Sequence, residues 1–229
     1  AAISACEKCE QSDRALALLE EMQLRGIELD VISFNAAISA CGKSGRWERA
    51  LALLDEMRAR GIDPTVISFS AAMSACEKGG QWKRAFALLE EMQWRGIEVD
   101  VISLSAAISA CSKGGQWQRA LTLLGEMEAV CIEPDVISFN AVISACEKGE
   151  QSERALAMLQ EMQALAIEPT VISFNAAISA CEKSGRWERA LALLEEMQVR
   201  AIPPTVISFS AAISACRRAA RWESSRADG

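Results

Sequence analysis

Apolar and polar positions recur with a helical period in this chain, as the segment from Ser33 to Lys43 illustrates. When its residues are placed at intervals of about 100°, they separate into two faces. An apolar arc of about 100° is expected to pack in a core; it carries Phe34, Ala37, Ile38 and Cys41. A mostly polar arc of about 80° is a possible working surface; it carries Ile32, Asn35, Ser39 and Lys43.

A second amphipathic helix is predicted from Trp47 to roughly Arg60. Its apolar side carries Trp47, Ala50, Leu51, Leu54 and Met57. Its polar side carries Glu48, Arg49, Asp55, Glu56 and Arg60. Two amphipathic helices joined by a short connection predict a helix hairpin.

The ends of these helices are marked by residues with local backbone preferences. Ser33 is predicted to cap the first helix, and Gly42 with Gly45 to stop it and turn the chain. Gly61 suits a left-handed residue at the end of the second helix, and Pro64 forbids its continuation.

The hairpin pattern repeats every 35 residues without insertion or deletion. Complete repeats are predicted at 31–65, 66–100, 101–135, 136–170 and 171–205, preceded by a partial repeat at 1–30 and followed by a truncated repeat and tail at 206–229. The last repeat has a regular first helix, but its sequence leaves the pattern after Trp222. Such a period predicts one all-α domain in which each repeat packs on its neighbours. The incomplete terminal repeats indicate a piece of a longer array.

The formal charge of −7 argues only weakly against a nucleic-acid partner. The acidic residues fall mostly in the second helices, and the distribution of charge matters more than its sum. No apolar run approaches the length of a membrane span, so no membrane partner is predicted.

Seven of the nine cysteines share one repeat position: Cys6, Cys41, Cys76, Cys111, Cys146, Cys181 and Cys216. Equivalent positions on helices about 8–10 Å apart exceed the separation that a disulfide tolerates, so these are predicted to be buried thiols. Cys6 and Cys9 form a lone CEKC in a chain without His, which does not favour zinc. No metal or other cofactor is predicted. Core spacing likewise favours burial of Trp47, Trp82, Trp117, Trp187 and Trp222.

The repeat VISFNAAISACGKSGRWERALALLDEMRARGIDPT resembles the pentatricopeptide repeat family. The shared features are the V-x-F-N opening, the G-R-W-E-R-A start of the second helix, the L-x-x-D/E-M middle and the G-I-x-P ending. The resemblance covers essentially all of 1–222 and implies a right-handed superhelical solenoid of helix-turn-helix repeats. Tetratricopeptide repeats have 34 residues and a Tyr in the first helix, whereas this chain has no Tyr.

The resemblance implies binding of single-stranded RNA, with one base read per repeat by the fifth and the last residue. These base-reading residues are Asp30, Asn35, Thr65, Ser70, Asp100, Ser105, Asp135, Asn140, Thr170, Asn175, Thr205 and Ser210. The second residues, which would sandwich the base, are Ile32, Ile67, Ile102, Ile137, Ile172 and Ile207. The basic residues expected near phosphate are Lys8, Lys43, Lys78, Lys113, Lys148, Lys183 and Arg218.

The fifth and last residues vary together: Asn with Thr in three complete repeats, and Ser with Asp in two. A carboxylate only accepts hydrogen bonds, so it suits a base edge that presents N–H, and a short Ser leaves room for a purine. Ser with Asp therefore predicts G, and Asn with Thr predicts U or C. The predicted RNA is G or U, pyrimidine, G, G, pyrimidine, pyrimidine, purine.

Other interpretations remain open from the sequence. The polar residues at helix starts can be simple caps, and the repeated lysines can be merely solvated. A helical-repeat scaffold that binds a protein or peptide in its concave groove is the alternative function. No catalytic residue and no small-molecule substrate are predicted, because no His or paired nucleophile is present. The resemblance implies a chloroplast or mitochondrial setting.

Overall fold

The structure, a computed structural model, describes the backbone of residues 12–227 and the side chains of residues 12–219. Within that range the regular structure is α-helical throughout. The first helices of the repeats are Val31–Ser44, Val66–Lys78, Val101–Lys113, Val136–Lys148, Val171–Lys183 and Val206–Ala227. The second helices are Ser12–Leu24, Trp47–Ala59, Trp82–Trp94, Trp117–Ala129, Ser152–Ala164 and Trp187–Val199. The predicted all-α helix hairpins are confirmed.

Each first helix begins at the Val of its repeat and is capped by the residue before it. Asp30 has extended backbone, and its carboxylate accepts the N–H of Ser33 at 2.8 Å. Thr65 precedes the next first helix and forms a capping box with Ser68, whose hydroxyl oxygen accepts the N–H of Thr65 at 3.0 Å. The prediction that Ser33 is the cap is therefore wrong, because Ser33 is already the third helical residue and its N–H is what the cap must reach.

The predicted turn glycines are confirmed at two positions and wrong at one. Gly45 and Gly61 are left-handed, with φ of 69° and 71°. Gly42 instead lies within the helix Val31–Ser44. A Cβ at Gly42 would be 2.8 Å from the carbonyl oxygen of Ala71, so this glycine lets the first helix of the next repeat approach closely.

The core follows the predicted apolar faces. Phe34, Ala37, Ile38 and Cys41 are completely buried on the first helix. On the second helix Ala50, Leu54 and Met57 are buried, and Leu53 is buried where Leu51 was expected. The two adjacent leucines Leu53 and Leu54 are therefore both buried, whereas the helical wheel placed Leu51 with Leu54 on the buried side.

The cysteine prediction is confirmed for Cys41, Cys76, Cys111, Cys146 and Cys181, which are buried free thiols. Burial raises the pKa of Cys76, Cys146 and Cys181 to about 11. Cys216 is half-buried. Cys6 and Cys9 lie outside the described residues.

The chain divides into two compact units, residues 1–114 and 115–229. In both units a Trp at the start of a second helix packs against a glycine of the following repeat. A Cβ on the glycine would be 2.2 Å from the indole Cδ1 in each pair: Trp47 with Gly79, Trp82 with Gly114, and Trp117 with Gly149. These tryptophans are half-buried, so their predicted core role is partial. Trp187 is 36% exposed, and the side chain of Trp222 lies outside the described residues.

Serine replaces Trp at the start of two second helices, at Ser12 and Ser152. In both cases the glycine position of the following repeat is also Ser, at Ser44 and Ser184. The same two junctions carry an additional ion pair, Arg46 with Asp13 and Arg186 with Glu153. A large residue facing a glycine has therefore been exchanged for two small residues and a surface charge pair.

Candidate nucleic-acid interface

A row of exposed isoleucines marks one surface of the first helices. The second residue of each repeat is exposed by 58–70%: Ile32, Ile67, Ile102, Ile137, Ile172 and Ile207. Burial of such side chains is the usual outcome in a helical protein, because each contributes about 1.5–3 kcal/mol when removed from water. The exposed isoleucines at this repeat position therefore leave apolar side chains available to a ligand in each of the repeats.

The fifth and last residues of a repeat are in direct contact. In the three repeats with Asn and Thr, the amide nitrogen of Asn donates to the hydroxyl of Thr. The Nδ2 to Oγ1 distances are 3.2 Å for Asn35 and Thr65, 3.5 Å for Asn140 and Thr170, and 3.3 Å for Asn175 and Thr205. The two side chains predicted to read one base are thus in contact in these three repeats.

The repeat 66–100 has Ser and Asp at these positions. The hydroxyl of Ser70 lies 2.8 Å from the carbonyl oxygen of Val66 and 3.3 Å from Oδ1 of Asp100. Oδ1 of Asp100 also accepts the N–H and the hydroxyl of Ser103, at 2.8 and 2.5 Å. The carboxylate is therefore fixed by its role as a helix cap, and the short Ser70 leaves space in front of it.

The last residues keep their capping role wherever they are acidic. Asp30 and Asp135 accept the N–H groups of Ser33 and Ser138 at 2.8 Å. The hydrogen bonds from Ser33, first the hydroxyl and then the N–H, lower the pKa of Asp30, so this carboxyl group is ionised at neutral pH. Capping and base reading are thus compatible, because a carboxylate has several acceptor sites.

A groove in the N-terminal unit brings three kinds of predicted site residue together. It has a volume of about 460 Å³, and Ile67 and Ile102 line it with the pair Ser70 and Asp100. Lys43 and Lys78 also line it. Residues predicted to sandwich a base, to read it and to bind phosphate therefore surround a single space, which the repeat 66–100 forms with Lys43 and Ile102 of its two neighbours.

Lys43 and Lys78 line the groove, but several of the basic residues are engaged by protein groups. Lys113 pairs with Glu77 at 2.7 Å and Lys183 with Glu147 at 2.9 Å. Lys78 donates to the carbonyl oxygen of Lys43 at 2.8 Å. Arg218 donates to the carbonyl oxygens of Glu182 and Lys183, and Lys8 lies outside the described residues. Attraction of a phosphate therefore competes with the acidic residue of the preceding repeat at Lys113 and Lys183.

Two features of this surface were not predicted from the sequence. One is the acidic residue that precedes some of the lysines, such as Glu77, whose partner Lys113 is 36 positions later in the chain. The other is the serine at the third position, which contacts the fifth residue of the preceding repeat where that residue is Asn, as Ser68 does with Asn35. The sequence contained a signal for the serine, since the third residue is Ser in every repeat that begins with Val. Contacts between repeats, however, cannot be predicted from the helical wheel of a single helix.

None of the helices among the described residues combines the length and apolar character needed to cross a membrane. The first helices that form the candidate surface are short and carry polar residues at regular intervals.

Comparison with solved structures finds pentatricopeptide repeat proteins. The crystal structure of PPR10 from maize superposes with a TM-score of 0.71 at 28% identity, covering 96% of this chain and 31% of PPR10. PPR10 in complex with an 18-nt psaJ RNA element gives a TM-score of 0.57 at 20% identity, covering 93% of this chain and 36% of that protein. The chain thus spans about a third of PPR10.

The fold is also similar to the PPR domain of Arabidopsis thaliana protein-only RNase P 1, solved in complex with tRNA. That domain gives a TM-score of 0.68 at 14% identity, with 79% of this chain and 95% of the domain covered. No curated protein matches the sequence. At this identity the similarity to the RNase P domain concerns the fold alone.

Family descriptions match along the chain. The pentatricopeptide repeat domain matches residues 17–78 and 87–148, the PPR repeat family 134–183 and 169–218, and the PPR repeat 1–27 and 67–97. The matches of the first two descriptions are spaced by two repeats and by one repeat of 35 residues. The chain belongs to the pentatricopeptide repeat family.

Proposed function

We propose that this chain binds single-stranded RNA on the surface of its first helices, with one base for each repeat. The groove of the repeat 66–100 is the observation that carries this proposal. Ile67 and Ile102 offer apolar surface on which a base can stack, and Ser70 with Asp100 offers polar atoms to its edge. Lys43 and Lys78 supply positive charge for the phosphates.

The chemistry of the groove favours guanine. Asp100 is held by Ser103 and accepts hydrogen bonds only, so it suits the N–H groups on the Watson–Crick edge of guanine. The Asn and Thr pairs fill the equivalent space with a larger side chain, which leaves room for a pyrimidine. The predicted preference is therefore for an RNA such as UUGGUUG.

The biological role that we propose is the processing, stabilisation or translation of an RNA in a chloroplast or mitochondrion, without catalysis by this chain. Two observations support this class of role: the family to which the chain belongs, and the RNA present in the solved structures of PPR10 and of the RNase P domain. A scaffold for a protein or peptide is less well supported, because the first-helix surface is nearly constant from repeat to repeat and offers few varied contacts to a peptide.

Fluorescence anisotropy with labelled UUGGUUG, UUCCUUG and the DNA equivalent of UUGGUUG, at two salt concentrations, tests the proposal. We expect preference for UUGGUUG by about tenfold or more, since one base contact contributes about 1–3 kcal/mol of discrimination. Affinity should fall with added salt because phosphate binding releases counterions. Equal affinity for the two RNAs, from a chain shown to be helical by circular dichroism, would contradict base reading.

A recoded variant supplies the matched control. Ser70→Asn with Asp100→Thr converts the repeat 66–100 to the pair that the chain already has at Asn35 and Thr65. This variant should bind UUUGUUG more tightly than UUGGUUG and leave the other positions unchanged. If it keeps the preference of the original chain, another part of the surface selects the base.

A further inference from the structure

The third residue of each repeat is a serine whose hydroxyl connects two repeats. Ser68 is completely buried. Its Oγ accepts the N–H of Thr65 at 3.0 Å and lies 2.5 Å from Oδ1 of Asn35 in the preceding repeat. The arrangement recurs where Ser173 contacts Asn140 and where Ser208 contacts Asn175, again at 2.5 Å.

The distances identify which end of the Asn side chain faces the serine. A separation of 2.5 Å is in the range of O–H···O hydrogen bonds, and shorter than the roughly 2.7–3.2 Å of N–H···O bonds. On the other side, the amide nitrogen of Asn donates to the Thr hydroxyl, at 3.2 Å for Asn35 and over the longer distances of 3.5 and 3.3 Å for Asn140 and Asn175. The amide oxygen therefore faces the serine, and the amide nitrogen faces the threonine.

This orientation determines what the Asn side chain can offer to a ligand. The oxygen of Asn35 accepts the hydroxyl proton of Ser68, because an amide oxygen has no hydrogen to donate. The nitrogen has two hydrogens, and Thr65 accepts one of them. Among the described residues no protein atom accepts the other, so Asn35 presents an N–H donor.

We propose that the third-residue serine is a specificity-positioning residue, which fixes the Asn amide of the preceding repeat so that it donates to the base. A donor at this place suits the ring carbonyl of a pyrimidine and disfavours the amino group of adenine. Because uracil and cytosine both have the carbonyl at C2, this device separates pyrimidines from adenine and does not separate the two pyrimidines. The inference deepens the proposed RNA binding and rests on it.

The repeats with Ser and Asp provide a natural contrast. Ser103 is buried as Ser68 is, and it bonds Asp100 in the same capping arrangement. Both oxygens of a carboxylate are acceptors, so removing the hydroxyl of Ser103 does not change the type of group that Asp100 presents. The amide of Asn has one donor end and one acceptor end, so the loss of Ser68 does change it.

The experiment compares Ser68→Ala with Ser103→Ala in the full chain. Each variant loses one capping hydroxyl, so thermal unfolding should show similar destabilisation. Anisotropy with UUGGUUG and UAGGUUG measures discrimination at the second base, which the repeat 31–65 reads. We expect Ser68→Ala to lower the preference for U over A by about tenfold, and Ser103→Ala to leave this preference unchanged.

Ser173→Ala provides an independent measurement at the fifth base, with UUGGUUG and UUGGAUG, should Ser68→Ala fail to fold. An unchanged preference in a folded Ser68→Ala or Ser173→Ala variant would overturn the inference. So would an equal loss in Ser103→Ala of the preference for G over A at the third base, which would indicate a general capping effect. If the original chain shows no preference at the second and fifth bases, the proposed base reading fails instead.

Discussion

The two compact units form the same turns with different residues. In the N-terminal unit every described left-handed turn residue is a glycine, with φ of 66–71°: Gly26, Gly45, Gly61, Gly80 and Gly96. In the C-terminal unit four such positions hold other residues, with φ of 56–57°: Cys131, Glu150, Ala166 and Ala201. A left-handed residue with a Cβ costs about 1–2 kcal/mol. The repeat therefore tolerates strain at its turns, and the C-terminal unit carries most of it.

The second helices of the two units also differ, and again the C-terminal unit has the less favourable arrangement. In the N-terminal unit Arg58 and Arg95 both bond the carboxylate of Glu91, at 2.7 Å each. At the equivalent place in the C-terminal unit, Glu161 faces Glu128, and the position of Arg95 is taken by a half-exposed Leu165. Burial, the charge of Glu128 and a hydrogen bond with Glu128 raise the pKa of Glu161. Two cations of one unit have thus become a carboxylate and a leucine in the other.

Placing glycine at the four left-handed turn positions of the C-terminal unit should have the largest effect on the difference between the units. Cys131→Gly, Glu150→Gly, Ala166→Gly and Ala201→Gly should each raise the free energy of unfolding by up to about 1 kcal/mol, since the relieved strain exceeds the entropy cost of glycine. Together they should contribute up to about 4 kcal/mol, because distant sites are nearly additive. Urea denaturation measures the sum, and amide exchange should place the gain in the C-terminal unit.

The N-terminal unit supplies the reverse substitutions. Gly26→Ala, Gly61→Ala and Gly96→Ala add a Cβ that would meet no other atom within 4 Å, so only the backbone conformation is tested. Each should lower the free energy of unfolding by about 1 kcal/mol. If these substitutions are neutral, left-handed strain does not distinguish the units.

The contact between Trp and Gly is common to both units and should have the next largest effect. Gly79→Ala and Gly149→Ala each place a Cβ against an indole, and overpacking of this kind costs about 1–3 kcal/mol. The cost should be similar in the two units because the contact is the same. Ser44→Ala is the control, since the preceding second helix begins with Ser12, and it should be nearly neutral in thermal unfolding.

The combination of Trp47→Ser with Gly79→Ser imitates the junction that Ser12 and Ser44 already form. It should recover part of the stability that Gly79→Ser alone removes, as a double-mutant cycle would show. If the effects of Trp47→Ser and Gly79→Ser on the free energy of unfolding simply add, the indole moves aside to accommodate the serine. Packing would then not explain why Trp and Gly are replaced together by two serines.

The hairpins, their ends at Gly45 and Gly61 and the buried apolar stripe could be predicted from one repeat, because they depend on contacts within a few positions. The candidate surface was predictable as a set of positions, since Asn35, Ile32 and Lys43 share an arc of the helix. The cap at Asp30 was missed because a serine three positions later has the same preference for caps. The contacts of Ser68 with Asn35 and of Lys113 with Glu77 join neighbouring repeats, so they depend on how the helices stack.

The strained turns were beyond prediction for a different reason. The sequence shows Cys131 and Ala166 where other repeats have glycine, but only the backbone reveals that these residues keep the left-handed conformation. From the sequence alone, these residues could equally have indicated turns with a different backbone geometry. That the turn is kept means that packing of the neighbouring helices outweighs about 1–2 kcal/mol of local strain.

The carboxylate pair should give the smallest change, and its dependence on pH identifies its cause. Glu128→Gln should raise the free energy of unfolding at neutral pH by about 1 kcal/mol, because an amide can donate to Glu161, as Gln163 does to Glu196 at 3.0 Å. Since the pKa of Glu161 is raised in the folded chain, folding favours its protonated form. The pair therefore costs nothing below the ordinary value of 4.5 and becomes unfavourable as the pH rises through the raised value.

The gain from Glu128→Gln should accordingly be complete at neutral pH and shrink as the pH falls toward 4.5, the ordinary pKa of the Glu161 carboxyl. Leu165→Arg, which imitates Arg95 in the N-terminal unit, should act in the same direction through Glu161 alone. Gln163→Glu is the opposing control, because it creates a second carboxylate pair with Glu196 and should add a cost that appears as the pH rises. Urea denaturation from acid to neutral pH distinguishes these cases. A gain in stability from Glu128→Gln that does not vary with pH would assign the effect to helix propensity. The stabilities of the two units would then differ through their turns and not through the charges of their second helices.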